Sequence, residues 1–150
     1  MKKSSSDRID NALTYFKEGF NCSQAVFAAF ADQFGLDRKA ALKISEGFGG
    51  GMGRMGLTCG AVTGAIMVIG LKHGGTKPDD KDVKQETYGL VRELIKRFKE
   101  RNCAAIECRE LLKCDMSTPE GFEQAKKRDV HNTICPKFVA DAAIILEDIL

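Results

Sequence analysis

The sequence predicts an all-α protein: a single-domain bundle of about seven helices, in which a glycine-rich loop opens a central helix. Apolar residues recur at helical spacing along most of the chain, and no segment shows the sustained period-two alternation of a half-buried strand. The 150 residues, 43% of them hydrophobic, suit one domain with a real core. We therefore expect a single domain over residues 1–150, without internal repeats.

Capping residues and apolar spacing predict three helices before the glycine-rich loop. The first covers Asp7–Lys17. Asn21 is a favourable N-cap, so a second helix should cover Cys22–Phe34. Asp37 caps a third helix that should extend to about Glu46.

The glycine-rich loop covers residues 47–56 and leads into the central helix. Gly47 is expected to close the third helix as a left-handed cap, because glycine adopts this conformation without a Cβ clash. Thr58 is an acceptable N-cap for the central helix, which should end near residues 72–75. Cys59 is then predicted at the first helical position, where the helix dipole favours a thiolate.

Small residues follow Cys59, so another backbone or a cofactor could approach this helix closely. Gly60 and Gly64 are the candidate cofactor-binding positions. Gly51, Gly53 and Gly56 match the letters of the dinucleotide fingerprint. That fingerprint requires a preceding strand, whereas a helix is predicted here, so nucleotide binding is not favoured.

Four further helices are predicted in the second half of the chain. A long helix covers Asp80–Arg101, a short one carries Cys108, and another covers Pro119–Lys127. The last covers Lys137–Leu150. Cys135 precedes a proline, which is common at the first position of a helix, so Cys135 is predicted as its N-cap.

Charge and hydropathy exclude several classes of function. The 23 Lys and Arg nearly balance the 21 Asp and Glu, which gives no reason to expect nucleic-acid binding. Residues 1–8 lack the apolar region of a signal peptide, and the longest apolar run, residues 65–71, is too short to span a bilayer. We therefore expect a soluble cytoplasmic protein without membrane insertion. Structural disulfides are rare in that compartment, so the cysteines call for another explanation.

The six cysteines are Cys22, Cys59, Cys103, Cys108, Cys114 and Cys135. None belongs to a Cys-x-x-Cys pair. Cys22, Cys59 and Cys135 are all predicted at helix N-termini, and three such termini together would form a positive pocket for thiolates, a metal or an iron–sulfur cluster. The alternative is that each is simply a small buried residue.

The remaining cysteines and one histidine carry weaker signals. Cys108 could turn inward with the leucines that follow it, whereas Cys103 and Cys114 are interpreted as incidental. His131 lies four residues before Cys135 and could ligate a metal or act as a base, but an ordinary surface histidine is the favoured interpretation.

Four segments together resemble the C_GCAxxG_C_C family, which is named from its cysteine pattern and described as redox-active. The segments are Asn21-Cys22-Ser23-Gln24-Ala25-Val26, Cys59-Gly60-Ala61-Val62-Thr63-Gly64, Cys108-Arg109-Glu110-Leu111 and Cys135-Pro136-Lys137-Phe138-Val139. The family name writes Gly-Cys-Ala where this chain has Cys-Gly-Ala. The resemblance implies that the functional set is Cys22, Cys59, Cys108 and Cys135.

These observations lead to one functional hypothesis with two mechanisms. We expect a small redox protein whose four matched cysteines meet in one site. They either exchange between dithiol and disulfide, with Cys59 or Cys22 as the attacking sulfur, or ligate an iron–sulfur cluster or metal ion. A redox partner protein is expected, and a homodimer is left open. The alternative is a non-catalytic helical interaction or scaffold protein with inert buried cysteines.

Overall fold

The computed structural model describes residues 4–150, apart from the Ser5 side chain, and within this range it contains nine α-helices and no named strand. They are α1 (Ser5–Lys17), α2 (Cys22–Ala31), α3 (Arg38–Ser45), α4 (Gly60–His73), α5 (Lys81–Arg101), α6 (Cys108–Leu112), α7 (Pro119–Lys127), α8 (Val130–Thr133) and α9 (Cys135–Ile149). In these residues seven helices have eight residues or more, so the predicted bundle of about seven helices is confirmed. The prediction that residues 1–8 do not form a signal peptide falls partly outside the described range, which excludes residues 1–3.

Side-chain caps start several helices where the sequence predicts them. The Asn21 side chain accepts a hydrogen bond from the Gln24 N–H at 3.0 Å, and the Gln24 side chain accepts one from the Asn21 N–H at 3.0 Å. Asp37 and Asp80 cap α3 and α5 in the same local manner. These caps satisfy N–H groups that have no partner within the helix.

Four local predictions require correction. The second helix ends at Ala31 and continues as a 3-10 turn over Asp32–Phe34. Gly47 is not a left-handed cap, because it lies inside another 3-10 turn, Glu46–Phe48. Cys59 is the N-cap of α4, not its first helical residue. Conversely, Cys135 is the first residue of α9 and not the N-cap, since Ile134 already has helical dihedral angles after α8.

Helices α2 and α4 cross at the centre of the bundle. Gly64 permits their close approach, since a Cβ at this position would lie 2.7 Å from the Ser23 carbonyl oxygen. Helix α9 packs against α1, α4 and α5, and the Arg8 guanidinium on α1 pairs with Glu147 on α9. No helix within residues 4–150 combines the length and the apolar character needed to cross a bilayer.

The glycine-rich loop contains five consecutive residues in the left-handed region. The φ angles of residues 50–54 lie between +59° and +70°. Gly50, Gly51 and Gly53 adopt this conformation freely, but Met52 and Arg54 carry a Cβ that costs about 1–2 kcal/mol each in this region. The loop therefore holds a shape that local preference alone would not maintain.

Candidate thiol site

The four cysteines of the predicted set each lie at the start of a helix. Cys22 is the first residue of α2, Cys59 caps α4, Cys108 is the first residue of α6 and Cys135 is the first residue of α9. The sequence placed three of them at helix N-termini and missed the fourth, Cys108. N-terminal N–H groups are free to donate hydrogen bonds and favour a negative charge.

An isolated antiparallel bridge between Thr58 and Glu107 brings two of these helix starts together. The Cys59 N–H donates to the Ile106 carbonyl at 2.7 Å, and the Cys108 N–H donates to the Leu57 carbonyl at 2.6 Å. A single bridge is too short to leave an alternating pattern, so the sequence carried no signal for it. Cys59, next to this bridge, has non-helical dihedral angles (φ −52°, ψ 134°), so α4 begins one residue later than predicted.

Glycines remove the side chains that would separate the cysteines. A Cβ at Gly51 would lie 2.6 Å from the Leu57 nitrogen and 2.8 Å from the Cys108 Cβ, so only glycine fits there. A Cβ at Gly60 would lie 3.1 Å from the Cys22 Sγ. The glycine-rich loop and the start of α4 thus close directly over the cysteines.

The surroundings of Cys22 favour its thiolate. A hydrogen bond from the Cys59 thiol is the main cause that lowers the pKa of Cys22 to about 7. The N–H groups of Cys22 itself, Gly50 and Ala61 lower the pKa further, while burial opposes them. The groups that lower this pKa lie at the starts of α2 and α4 and in the glycine-rich loop.

Cys59 is correspondingly held as a neutral thiol. Its hydrogen bond to Cys22 is the first cause that raises its pKa well above the ordinary value, and burial and the negative charge of Cys22 add to this. Cys59 is 4% exposed, whereas Cys22 is only partly buried. The pKa of the more exposed Cys22 is thus lowered, and that of the buried Cys59 is raised.

Cys108 and Cys135 also stay protonated at neutral pH. Burial is the main cause that raises the pKa of Cys108 to about 12, and it likewise raises the pKa of Cys135. The negative charge of Cys22 is the next cause for both residues. A charge on Cys114 would raise both values too, so Cys114, which the sequence set aside, is buried beside this group. Cys103 is exposed.

A cavity of about 700 Å³ opens onto three of these cysteines, Cys22, Cys108 and Cys135. His131 lies in its wall, stacked on the Phe16 ring at 4.0 Å between centroids, with its Nε2 3.2 Å from the Phe16 carbonyl oxygen. His131 is thus partly buried and fixed in place, not free on the surface as favoured from the sequence.

The predicted cofactor and metal positions are less directly supported. Gly60 and Gly64 both lie against the α2 backbone at Ser23, which fits the helix-packing alternative, and a cofactor contact at either stays a prediction. In the part of the chain that the structure describes, residues 4–150, no three His, Cys, Asp or Glu side chains are arranged to hold a metal ion.

The fold and the site together define a class: a helical bundle with cysteines at the starts of several helices, of which Cys22, Cys108 and Cys135 line one cavity. The family described as "Putative redox-active protein (C_GCAxxG_C_C)" matches residues 20–149, and the chain belongs to this family. The resemblance seen in the four cysteine segments is therefore confirmed, and redox activity is the property that the family description assigns. No curated protein and no solved structure matches the chain.

Proposed function

We propose that this protein is a cytoplasmic thiol–disulfide redox protein in which Cys22 is the attacking thiolate and Cys59 the second thiol. One observation carries the proposal: Cys22 is partly exposed in the wall of a cavity, whereas Cys59, at the neighbouring start of α4, is 4% exposed and helps to lower the pKa of Cys22 to about 7. A thiol with a pKa near the ambient pH combines a large thiolate fraction with good nucleophilicity.

The reaction is an ordinary two-step exchange. The Cys22 thiolate attacks one sulfur of a substrate disulfide, forms a mixed disulfide and releases the first substrate thiolate, which takes up a proton. Cys59 then loses its proton, attacks the Cys22 sulfur and releases the second substrate thiolate. The substrate gains two electrons and two protons, and the protein is left with a Cys22–Cys59 disulfide.

The cycle closes with a dithiol on a redox partner protein, which reduces the Cys22–Cys59 disulfide by the reverse exchange. Cys108 and Cys135 line the same cavity as Cys22, so a mixed disulfide at Cys22 has further thiols within the site to exchange with. Their high pKa values keep them from attacking the substrate first.

The proposal is tested with a neutral small disulfide, hydroxyethyl disulfide, under anaerobic conditions, followed by mass spectrometry of the modified peptides. Wild type should form the Cys22–Cys59 disulfide, whereas C59S should retain a mixed disulfide on Cys22 or exchange it with Cys108 or Cys135. C22S should not react faster than a free thiol. C103S, which removes an exposed cysteine, is the matched control and should behave as wild type. Unchanged reactivity of C22S contradicts the proposal.

The second candidate is ligation of an iron–sulfur cluster by the four cysteines, and it is favoured by their position at four helix N-termini, which suits an anionic group. Against it, no three donor side chains in residues 4–150 are arranged for a metal ion, so the thiols would have to move together. Anaerobic purification separates the candidates, because a cluster gives a brown protein with visible absorbance. Slow, unselective alkylation of a colourless protein would instead favour an inert scaffold.

A further inference from the structure

We propose that the disulfide that Cys22 reduces is a small zwitterion of the amino-acid or short-peptide type, whose carboxylate binds Arg54. This inference rests on the proposed thiol–disulfide function and specifies its substrate class. It follows from the size of the cavity, from one unpaired cation in its wall and from the balance of charges around it.

The cavity suits a small molecule better than a protein surface. Its volume of about 700 Å³ lies within the range of about 300–1,000 Å³ that is typical of small-molecule sites. Leu112, Met116 and Phe122 provide apolar wall, and Cys22 is reached through the cavity. A disulfide on a folded partner would have to enter this recess, whereas a free small disulfide fits inside it.

Arg54 is the cation that lacks a carboxylate partner. Within residues 4–150 its guanidinium makes no ion pair and no hydrogen bond, and it lies over the Phe122 ring at 4.9 Å from the centroid. Lys126 also lies over this ring, at 4.5 Å, but its Nζ is 3.8 Å from a Glu123 carboxylate oxygen. An incoming carboxylate would therefore find Arg54 available for a charge-assisted hydrogen bond.

The loop places Arg54 in the same cavity wall as Cys22. Arg54 packs directly over Gly50, since a Cβ at Gly50 would lie 2.7 Å from the Arg54 Cγ, and Gly50 also lines the cavity that Cys22 faces. Arg54 also has a φ of +64°, which glycine would adopt without steric cost. The chain thus keeps an arginine side chain at a position where its backbone favours glycine.

Two carboxylates balance the two cations in the cavity wall. Glu46 and Asp129 line it together with Arg54 and Lys126. Asp129 accepts a hydrogen bond from the Asn132 side chain at 2.9 Å, which leaves its other oxygen for a ligand. A lining of two positive and two negative groups suits a ligand that carries both an ammonium group and a carboxylate.

The test compares four disulfides at neutral pH: cystine, dithiodipropionate with carboxylates only, cystamine with ammonium groups only, and uncharged hydroxyethyl disulfide. The measured quantity is the second-order rate constant for loss of the Cys22 thiol, divided by the value for a free thiol with the same reagent. Cystine should give the largest ratio. Replacing Arg54 by Gly or Gln should lower the ratios for cystine and dithiodipropionate about 5- to 10-fold and leave cystamine unchanged. Arg54→Lys should retain most of the wild-type ratio for cystine and dithiodipropionate.

Replacing both acids, Glu46→Gln with Asp129→Asn, should show the opposite selectivity. The ratios for cystine and cystamine should fall, while the ratio for dithiodipropionate should stay constant. Asparagine tolerates a left-handed φ, so Asp129→Asn should not strain the backbone at this position. Lys127 and Glu120 lie on α7 outside the cavity wall, so Lys127→Gln and Glu120→Gln serve as charge-matched controls. Arg54→Gly relieves backbone strain, so its melting temperature should not fall, which separates lost binding from lost folding.

Each other outcome has a distinct meaning. Equal ratios for the four disulfides, or an equal loss for all four in Arg54→Gly, overturn the substrate assignment and leave the thiol–disulfide function standing. A protein disulfide that reacts faster than cystine also overturns the assignment. If hydroxyethyl disulfide reacts with Cys22 no faster than with a free thiol, the proposed function itself fails.

Discussion

The hydrogen bond from Cys59 to Cys22 can be tested by removing the donor while keeping the volume change small. Cys59→Ala deletes the group that contributes most to the low pKa of Cys22, whereas Cys59→Ser keeps an O–H at the same position. A hydrogen bond to a charged group contributes about 1.5–3 kcal/mol, and one pKa unit corresponds to about 1.4 kcal/mol. The pKa of Cys22 should therefore rise by about 1–2 units in Cys59→Ala.

The assay is the pH dependence of iodoacetamide alkylation at Cys22, followed by mass spectrometry of the peptide that contains it. In wild type the rate should be half-maximal near pH 7. In Cys59→Ala the midpoint should move upward, so that the rate at neutral pH falls by about 5- to 50-fold. Cys59→Ser should stay close to wild type.

The reasoning is refuted if Cys59→Ala leaves the midpoint unchanged. In that case the N–H groups of Cys22, Gly50 and Ala61 would stabilise the thiolate without help from Cys59. A parallel shift in Cys103→Ser, which alters an exposed cysteine, would instead indicate a general effect on the fold.

Three further predictions concern stability, each measured by urea unfolding. Gly51→Ala should lower the free energy of unfolding by about 3 kcal/mol or more, because it combines a left-handed φ with a steric clash. Gly53→Ala has the same backbone strain but open space around the new Cβ, so it should lower the free energy of unfolding by only about 1–2 kcal/mol. Equal losses in the two variants would exclude the clash. Gly64→Ala should destabilise the protein, because the new Cβ pushes α4 away from α2. Gly70→Ala lies on the same helix with no neighbouring atoms, so it should stabilise the protein by up to about 1 kcal/mol. If both variants changed the free energy of unfolding in the same direction, close packing at Gly64 would be contradicted. The pKa of Cys22 is about 7 in the folded protein, whereas that of an unperturbed cysteine is 9.0. Between these two pH values the unfolded chain binds more protons than the folded protein. The free energy of unfolding should therefore rise with pH in this range, by up to about 3 kcal/mol. The free energy of unfolding should decline at higher pH, because the cysteines with raised pKa values ionise first in the unfolded chain. If the rise between pH 7 and 9 persists in Cys22→Ser, the lowered pKa is not that of Cys22.

The helices and their caps were predictable because they depend on residues close together in sequence. Asn21 caps α2 through Gln24, three residues away, and Pro119–Lys127 was predicted with the bounds that the structure shows. The placement of Cys22 at a helix start follows from the same local chemistry. The cysteine pattern also sufficed to recognise the family.

The assignment of charge among the cysteines depends on contacts that no local pattern contains. The sequence left Cys59 and Cys22 as equal candidates for the attacking sulfur. The Thr58–Glu107 bridge commits the Cys59 N–H to the Ile106 carbonyl, while groups at Gly50 and at the start of α4 lower the pKa of Cys22. Cys114 is buried near Cys108 and Cys135, which the sequence did not indicate, because its burial depends on what distant parts of the chain pack around it.

The sequence by itself determined the helical class, most helix bounds, the four cysteines worth following and the family. Tertiary structure decided which cysteines are buried, where the cavity opens and, within residues 4–150, that Arg54 in its wall has no ion-pair partner. The physical reason is range: hydrogen bonds along a helix join residues three or four apart, whereas the pKa of a thiol responds to every donor, charge and apolar surface that folding brings to it.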